Sequence, residues 1–587
     1  MRKFLLSFVV LILKPDTMKK LLLLLTITCQ LSIITSSAQS PNWLWAKRMG
    51  GTSNDYGQSM AVDTFGNVYI TGWFSGTVDF NPGVGIFNLT SISYWDTYIS
   101  KLDASGNFVW AKAMGGTDNA MSWLITLDAF GNIYTTGYFE GIVDFDPGVG
   151  VYNLTSAGDR DDFISKLDSS GNFVWAKAMG GTGVDECYSI AVDASGYVYT
   201  TGYFQGTADF NPGAGVFNLT GGGIFISKLD SSGNFVWAKA MNGTGNGEGQ
   251  SIVVDPAGIG DVYASGWFFG TVDFDPSVGV FNLTSAGNDD IYVSKLDSSG
   301  NLIWAKKMGG TGSDWGTAIA LDHSGSGDVY TTGFFSATAD FDPGVGILNL
   351  ISSGFADNFV CKLDSSGNII WAKGMGGTNG DWSNSIALDQ SGSGDVYTTG
   401  FFEGTADFDP GTGTFNLSSA GPAQRAIFIS KLDSSGNFSW AKSVGGTNMD
   451  WGQSIVLDAA DKVYVTGAFS SPSISFGTTT LINGGSLDMF IAKLDTLTIP
   501  TGINEAVNIE NGVFVFPNPA GSELRITNVE FRIESVEVFD VLGQKYNSAF
   551  DILNSELTID VSSLSAGIYF IKVRTEKEER VAKFVKQ

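Results

Sequence analysis

The stretch "KLDSSGNFVWAKAMGGT" occupies residues 166–182, and it returns as "KLDSSGNFVWAKAMNGT" at 228–244 and "KLDSSGNLIWAKKMGGT" at 295–311. Each copy sets two strand-like runs around "DSSGN". This is the pattern of a β-hairpin, in which Gly233 suits a left-handed turn position. The tryptophan of "WAK" falls at Trp45, Trp110, Trp175, Trp237, Trp304, Trp371 and Trp440, with spacings of 65, 65, 62, 67, 67 and 69 residues. Seven copies of a long, strand-rich unit indicate a radial array rather than one large sheet.

Working outward through one unit, "YSIAVDASGYVYTTGYF" reads as a short strand of small residues, a turn and a Tyr/Thr/Phe-rich strand. "GTADFNPGAGVFNLT" is a further strand pair around a Pro-Gly turn. The serine and alanine of "SIAV" suit the crowded axis of a propeller, and the "WAK" tryptophan suits an outer strand. The array begins at "NWLWAKRMGG", the last strand of a unit, and its seventh copy stops at "DMFIAKLD" without that strand. Pairing the first with the last closes a ring and removes two open edges. The expected fold is therefore all-β: a seven-bladed β-propeller over 42–495 closed by its N-terminal strand.

The recurring "D-x-x-G-N-x-x-W-A-K", "V-Y-x-T-G-x-F" and "F-I-S-K-L-D" resemble the bacterial beta-propeller (SBBP) repeats. That resemblance implies a propeller and no particular activity. After a linker at 496–512 the period vanishes. "VFPNPAGSELRI", "VEVFDVLGQK", "LTIDVSSLSAGIYFIKV" and "KFVKQ" then resemble the type A sorting domain of the type IX secretion system of Bacteroidota. The matching positions include Pro517, Asn518, Pro519, Asp540, Leu542, Gly543, Leu564, Gly567, Tyr569 and Lys572. The resemblance implies that 513–587 form a small antiparallel β-sandwich that engages the secretion machinery and is removed at the surface. Alternating "SVEVFDV" and "GIYFIKV" support a sandwich independently.

The other end reads as an export signal. "MKKLLLLLTITCQLSIITSSAQS" has a basic start, an apolar centre and a small-residue exit at Ser36-Ser37-Ala38, so 1–38 is expected to be a signal peptide, with Met18 an alternative start. Lys14 and Pro15 split the apolar run, which argues against a membrane anchor. "TITC" before Cys29 lacks the small residues of a lipidation site. The expected location is extracellular or on the outer-membrane surface.

Composition narrows the function. A net charge of −27 opposes nucleic acid and anionic lipid as partners. The chain has one histidine, His323, in a variable turn, which leaves no material for a serine–histidine triad or a His/Cys zinc site. Cys187 and Cys361 remain after the signal, with Cys361 read as a buried small thiol. No catalytic constellation emerges, and a monomeric binding or scaffold module is the expectation. The alternative is a hydrolase or lyase working with channel carboxylates.

Two sets of residues are candidate sites. The "DF[DN]PG" loops at Asp79, Asp144, Asp209, Asp340 and Asp407 offer oxygen ligands beside glycine, as calcium requires, although Asp also caps tight turns unaided. No other cofactor is expected. The second set precedes "SIAV": Asp55, Asp185, Asp314, Asp381 and Asp450, with the aromatics Tyr56, Trp315, Trp382 and Trp451 following four of them. The readings weighed for these are turn caps with rings packed between blades, or a rim around the channel mouth. On the rim reading, indole faces stack on neutral glycans and carboxylates accept their hydroxyls, with cations or another surface protein as further ligands. The "NLT" and "NLS" sequons at Asn88, Asn153, Asn218, Asn282 and Asn416 are read as repeat inheritance.

Overall fold

The computed structural model describes residues 41–255 and 260–495 and, further on, residues 514–516, 523–527, 533–540, 544–546, 550–553, 556–565, 567–575 and 579–586. The expected signal peptide, Cys29, the linker, Pro517, Asn518, Pro519, Leu542 and Gly543 lie outside the described residues. The chain divides into two compact units between Thr496 and Leu497.

Among the described residues, every element in the first unit is a strand or turn. Six six-stranded sheets and one four-stranded sheet make up its blades. In blade 1 the strands run Asp55–Val62, Val68–Phe74, Asp96–Leu102 and Phe108–Gly116, from the axis outward and all antiparallel. The first strands of blades 2 to 7 are Ala120–Leu127, Glu186–Val192, Asn246–Val254, Trp315–Leu321, Asp381–Leu388 and Asp450–Leu457. Trp43–Gly51 is the outer strand of blade 7, paired antiparallel with Asp488–Leu494 through Lys47↔Ile491 and Met49↔Met489. The N-terminal strand thus closes the ring, as its repeat phase requires.

The opening motif explains how one blade meets the next. In "DSSGN", Asp168 Oδ1 accepts the amides of Ser170 and Asn172 at 2.8 and 2.9 Å, and Oδ2 accepts Asn172 Nδ2 at 2.8 Å. The carboxylate thereby fixes the turn that Gly171 completes at φ +80°. The equivalent turn of each following blade slides under the "WAK" strand of the blade before. Trp175, Trp237, Trp304 and Trp371 donate their indole N–H to the carbonyls of Ser231, Ser298, Ser365 and Ser434 at 3.1–3.3 Å. A methyl on Gly233 would lie 2.7 Å from Lys177 Cε and 3.2 Å from the Trp175 ring, so only glycine fits. The same geometry spans the closure, where Gly106 of blade 1 lies against Trp45 and Lys47.

A second link is the hairpin between the second and third strands. In blade 1 it runs Thr77–Asp79 and Asn88–Thr90 and crosses to the outer strand of blade 7, pairing Gly50↔Asp79 and Gly51↔Val78. Phe80 anchors it, fully buried against Phe74 and Tyr98. Blade 7 has "SISF" and "TTLI" instead, which form a separate two-stranded sheet.

In the second unit two four-stranded antiparallel sheets face each other around Leu524, Val538, Ile559, Ile571, Val573 and Phe584. Of the expected sorting-motif positions, Asp540 Oδ1 accepts the Gln544 amide at 2.9 Å and Oδ2 accepts Tyr546 hydroxyl at 3.2 Å. Gly567, Tyr569 and Lys572 lie on Gly567–Thr575, where the Tyr569 ring stacks on Phe584. The Leu564 side chain is part of the core.

Deleting residues 42–51 is expected to leave Asp488–Leu494 as an open edge, lowering the melting temperature by about 5 °C or more and promoting association. Unchanged melting and an unchanged monomer fraction in size-exclusion chromatography would refute ring closure by this strand.

Candidate functional site

All seven first strands line one axial channel of about 650 Å³. They are spliced side by side through serine. The Oγ atoms of Ser59, Ser189, Ser251, Ser385 and Ser454 accept the amides of Ile125, Ile252, Ile319, Ile455 and Met60 in the next blade at 3.1–3.4 Å. The Ser454–Met60 bond crosses the ring closure. Facing the axis, one position per blade carries Gln58, Trp123, Tyr188, Gln250, Thr317, Asn384 and Gln453. Asp, Glu, Lys, Arg and His are absent from the channel lining.

Asp55, Asp185, Asp314, Asp381 and Asp450 stand where the first strands of their blades begin, and every one is fully buried. Their Oδ2 atoms accept amides four residues back, from Gly51, Gly181, Gly310, Gly377 and Gly446, at 2.6–2.8 Å. Oδ1 accepts a second amide in four of them: Gln205 on Asp185, Ser336 on Asp314, Glu403 on Asp381 and Ser471 on Asp450, at 2.9–3.1 Å. These carboxylates fold the loop between blades. The expectation that they accept sugar hydroxyls is therefore corrected, because no face of them meets solvent.

Four of the five have a second buried carboxyl as neighbour, from the third strand of the preceding blade: Asp488 beside Asp55, Asp161 beside Asp185, Asp290 beside Asp314, and Asp357 beside Asp381. Oδ1 of Asp55, Asp161, Asp290, Asp357 and Asp488 has no hydrogen-bond partner. Burial is the main force raising these groups: to about 7 for Asp55, Asp161 and Asp314, about 6 for Asp185 and Asp357, and about 8 for Asp381. Arg48 on Asp488 and Lys307 on Asp290 (3.2 Å) offset part of this at two junctions.

Trp315, Trp382 and Trp451 do form one arc across blades 5 to 7, but the ring faces of the first two are already occupied. Trp315 stacks on Trp267 of blade 4 (4.9 Å, 15°) and Trp382 on Phe334 of blade 5 (4.3 Å, 11°). Phe334 also packs on Trp315 and Phe401 on Trp382. Arg425 covers Phe401 at 4.2 Å and Trp451 at 5.8 Å and pairs with Glu403 at 3.0 Å. Tyr56 lies on Trp73 at 3.7 Å. Stacking of the Trp315 and Trp382 indole faces on a sugar is corrected accordingly, because contacts across the blade junctions use them.

Across the mouth, blades 3 and 4 carry carboxylates at the same position. Glu186 accepts Tyr188 hydroxyl at 2.8 Å and pairs with Arg160, which also holds Glu140 at 3.1 Å and covers Tyr138 at 4.5 Å. Glu248 accepts Gln250 Nε2 at 2.8 Å. Burial, reinforced by Glu186, pushes Glu248 up to about 7.

The "DF[DN]PG" aspartates close their own hairpins. Oδ1 of Asp79, Asp144, Asp209, Asp340 and Asp407 accepts the amide two residues on at 3.0 Å and the amide eight residues on at 2.8–2.9 Å. Among the described residues no group of three or more His, Cys, Asp or Glu side chains is placed to hold a metal ion. His323 is exposed in its turn, and Cys187 and Cys361 are buried free thiols.

Residues 44–73 and 174–207 match the family model for the beta-propeller repeat, and residues 514–587 match that for the secretion system C-terminal sorting domain. The chain carries beta-propeller repeats and a C-terminal sorting domain. That domain directs it through the type IX secretion system to the cell surface or the extracellular space, with the tail removed.

Among curated proteins, this propeller protein is 24% identical over 543 residues to the uncharacterized WD repeat-containing protein L264 of Acanthamoeba polyphaga mimivirus, covering 77% of this chain and 38% of that protein. It is 23% identical over 299 residues to the regulatory protein FlaEY of Caulobacter vibrioides, covering 49% of this chain and 31% of that one. The chain thus spans well under half the length of either relative. Among solved structures it is similar to Sqt1 from Chaetomium thermophilum, with a TM-score of 0.37 and 9% identity over 77% of this chain and 98% of that one. A Bacteroides thetaiotaomicron protein of unknown function has a TM-score of 0.27 and 10% identity over 76% of this chain and 100% of that one.

Sequence reasoning missed the axis-facing set and the arginine at the Glu186 junction. The signal was available in the copies themselves. Two residues before each "SI" isoleucine, or its equivalent, the repeats carry Gln, Trp, Tyr, Gln, Thr, Asn and Gln, while the flanking positions recur.

The buried carboxyl pairs set a pH dependence. Their folded pKa values lie above the unfolded value of about 4, so the unfolded state ionises first as pH rises and stability is lost between about pH 4 and 8. The propeller is expected to melt higher at pH 5 than at pH 8, and Asp357→Asn with Asp381→Asn should narrow that difference. A melting temperature that is flat or rises from pH 5 to 8 would overturn this.

Proposed function

We propose that the exported propeller is a monomeric, non-catalytic binding module that holds a polar ligand at the mouth of its axial channel. One observation carries the reading: the seven repeats keep their packing residues nearly constant and vary at the positions facing the channel and its rim. Repeats that served only to close a ring would have no reason to diversify there. The lining supplies amide and hydroxyl groups, suited to hydrogen bonding with an uncharged ligand such as a neutral glycan. The carboxylate side of the rim, on blades 3 and 4, favours cationic groups instead.

A hydrolase needs a carboxyl at the reacting bond, and the lining contains no acid or base, which supports binding over catalysis. The test is a panel of neutral glycans, amine-bearing glycans and basic peptides presented to the full chain. The triple variant Gln58→Ala, Gln250→Ala, Gln453→Ala should lose about tenfold in affinity for whichever members bind, with melting unchanged. A wild-type chain that binds none of them, or a variant that binds equally, would refute the channel mouth as the site.

Destination is separable from folding, because contacts in a repeat array are made between neighbours. Removing 513–587 in the native host should leave a folded propeller in the periplasm, read by fractionation and protease resistance. Surface display of the truncated chain at wild-type level would refute the role of the tail.

A further inference from the structure

The ring contains its own example of a bound cation. At the junction of blades 2 and 3, Arg160 lies over Tyr138, with Glu140 and the next blade's Glu186 as its acceptors. At the junction of blades 6 and 7, Arg425 takes the same place over Phe401, with Glu403 as acceptor. Register shows the equivalence. Phe139 pairs with Asp161, Phe402 with Ala426 and Phe204 with Gly223, so the residue preceding each partner is Arg160, Arg425 or Gly222.

The junction of blades 3 and 4 keeps the aromatic ring and the next blade's glutamate, but it has no arginine and carries an amide in place of the first carboxylate. Tyr203 stands where Tyr138 does, Gln205 where Glu140 does, and Glu248 where Glu186 does. The second strand of blade 3 packs against the first strand of blade 4, as at the other junctions. The connecting loop is three residues shorter, "TGGG" at 220–223 against "TSAGDRD" at 155–161, and Gly222 has no side chain to place over the tyrosine. Among the described residues no lysine or arginine pairs with Glu248.

We infer that this junction is a binding slot for a guanidinium supplied from outside: the arginine side chain of a partner polypeptide, lying over Tyr203 and paired with Glu248. The inference rests on the channel-mouth reading and names one ligand group for it. A guanidinium satisfies both walls at once, since its planar face is attracted to an aromatic ring and its N–H groups match a carboxylate. Glu248 is partly buried, with Glu186, Asp289, Tyr188 and Tyr292 as its titratable neighbours. Its carboxyl, pushed up to about 7, ionises more fully from pH 6 to 8, and binding should tighten over that range.

The probe is N-acetyl-arginine amide, titrated into the full chain at low salt and followed by tryptophan fluorescence, Trp267 being the cross-strand partner of Glu248. One saturable site is expected, weakened about tenfold by Glu248→Gln and by use of the uncharged citrulline analogue. Replacing Gly221-Gly222 by Ser-Ala-Gly-Asp-Arg, the sequence of 156–160, should fill the slot from within and abolish binding. No saturation, equal binding by Glu248→Gln, or equal binding by citrulline would overturn the assignment. If panel members still bind through the glutamine positions while the arginine probe does not, only the slot fails. If nothing binds in either experiment, the channel-mouth reading fails with it.

Discussion

The turn of one blade lies beneath the tryptophan and lysine of the blade before it, and this contact holds the molecule together. It consumes the most constant part of the repeat. The aspartate fixes the turn, the glycine gives way to the indole, and the serine carbonyl takes the indole N–H. The lysine of "KLD" spans the same gap from the other side: Lys166 and Lys228 donate to the carbonyls of Ser231 and Ser298 at 3.3 and 3.2 Å while lying over Tyr134 and Tyr199. Because the indole and the lysine of one copy bond to the serine carbonyl of the next, changing either weakens a junction rather than a blade. The sequence repeats because the interface repeats.

Near the axis the junctions differ, and at four of them the differences are matched across the seam. Gly57, Gly316 and Gly452 face Met489, Ile291 and Ile427, where an added methyl would come within 3.5, 3.1 and 3.1 Å. Where the glycine is replaced by Ser122, its partner is Thr97, and the two hydroxyls share a hydrogen bond. Such pairing of an apolar knob with glycine, or hydroxyl with hydroxyl, makes the copies poor substitutes for one another. It disfavours docking between blades that are not neighbours in the chain during folding.

Blade boundaries, the closing strand and the left-handed turn glycine were legible in the sequence because they follow from period, phase and local turn chemistry. The rim was only half legible. Spacing puts Asp314, Asp381 and Asp450 with their tryptophans on a rim around the channel mouth; in the structure these aspartates are buried where the first strands of blades 5 to 7 begin. Spacing says nothing about which way a carboxylate turns, and backbone amides four residues back capture it before solvent can. Trp382 likewise looked like a free stacking surface, since its partner Phe334 lies 48 positions earlier in another blade. What the repeats did encode was variation, at Tyr188, Gln250 and Asn384, and an eye fixed on repetition passes over it.

Ring closure by the N-terminal strand also bears on how the protein is exported. The ring is complete at Asp495, whose amide donates to the Asn42 carbonyl and joins the two ends of the propeller. Among the described residues, none after Asp495 contributes a strand to any blade. Had the last "WAK" strand been supplied from beyond Asp495, the closing seam would lie beside the segment that is cut when the tail is removed. With that strand supplied from the start of the chain instead, the tail can be lost without taking a strand from the ring. The channel mouth draws its residues from the seven first strands, and it is equally untouched by that cleavage.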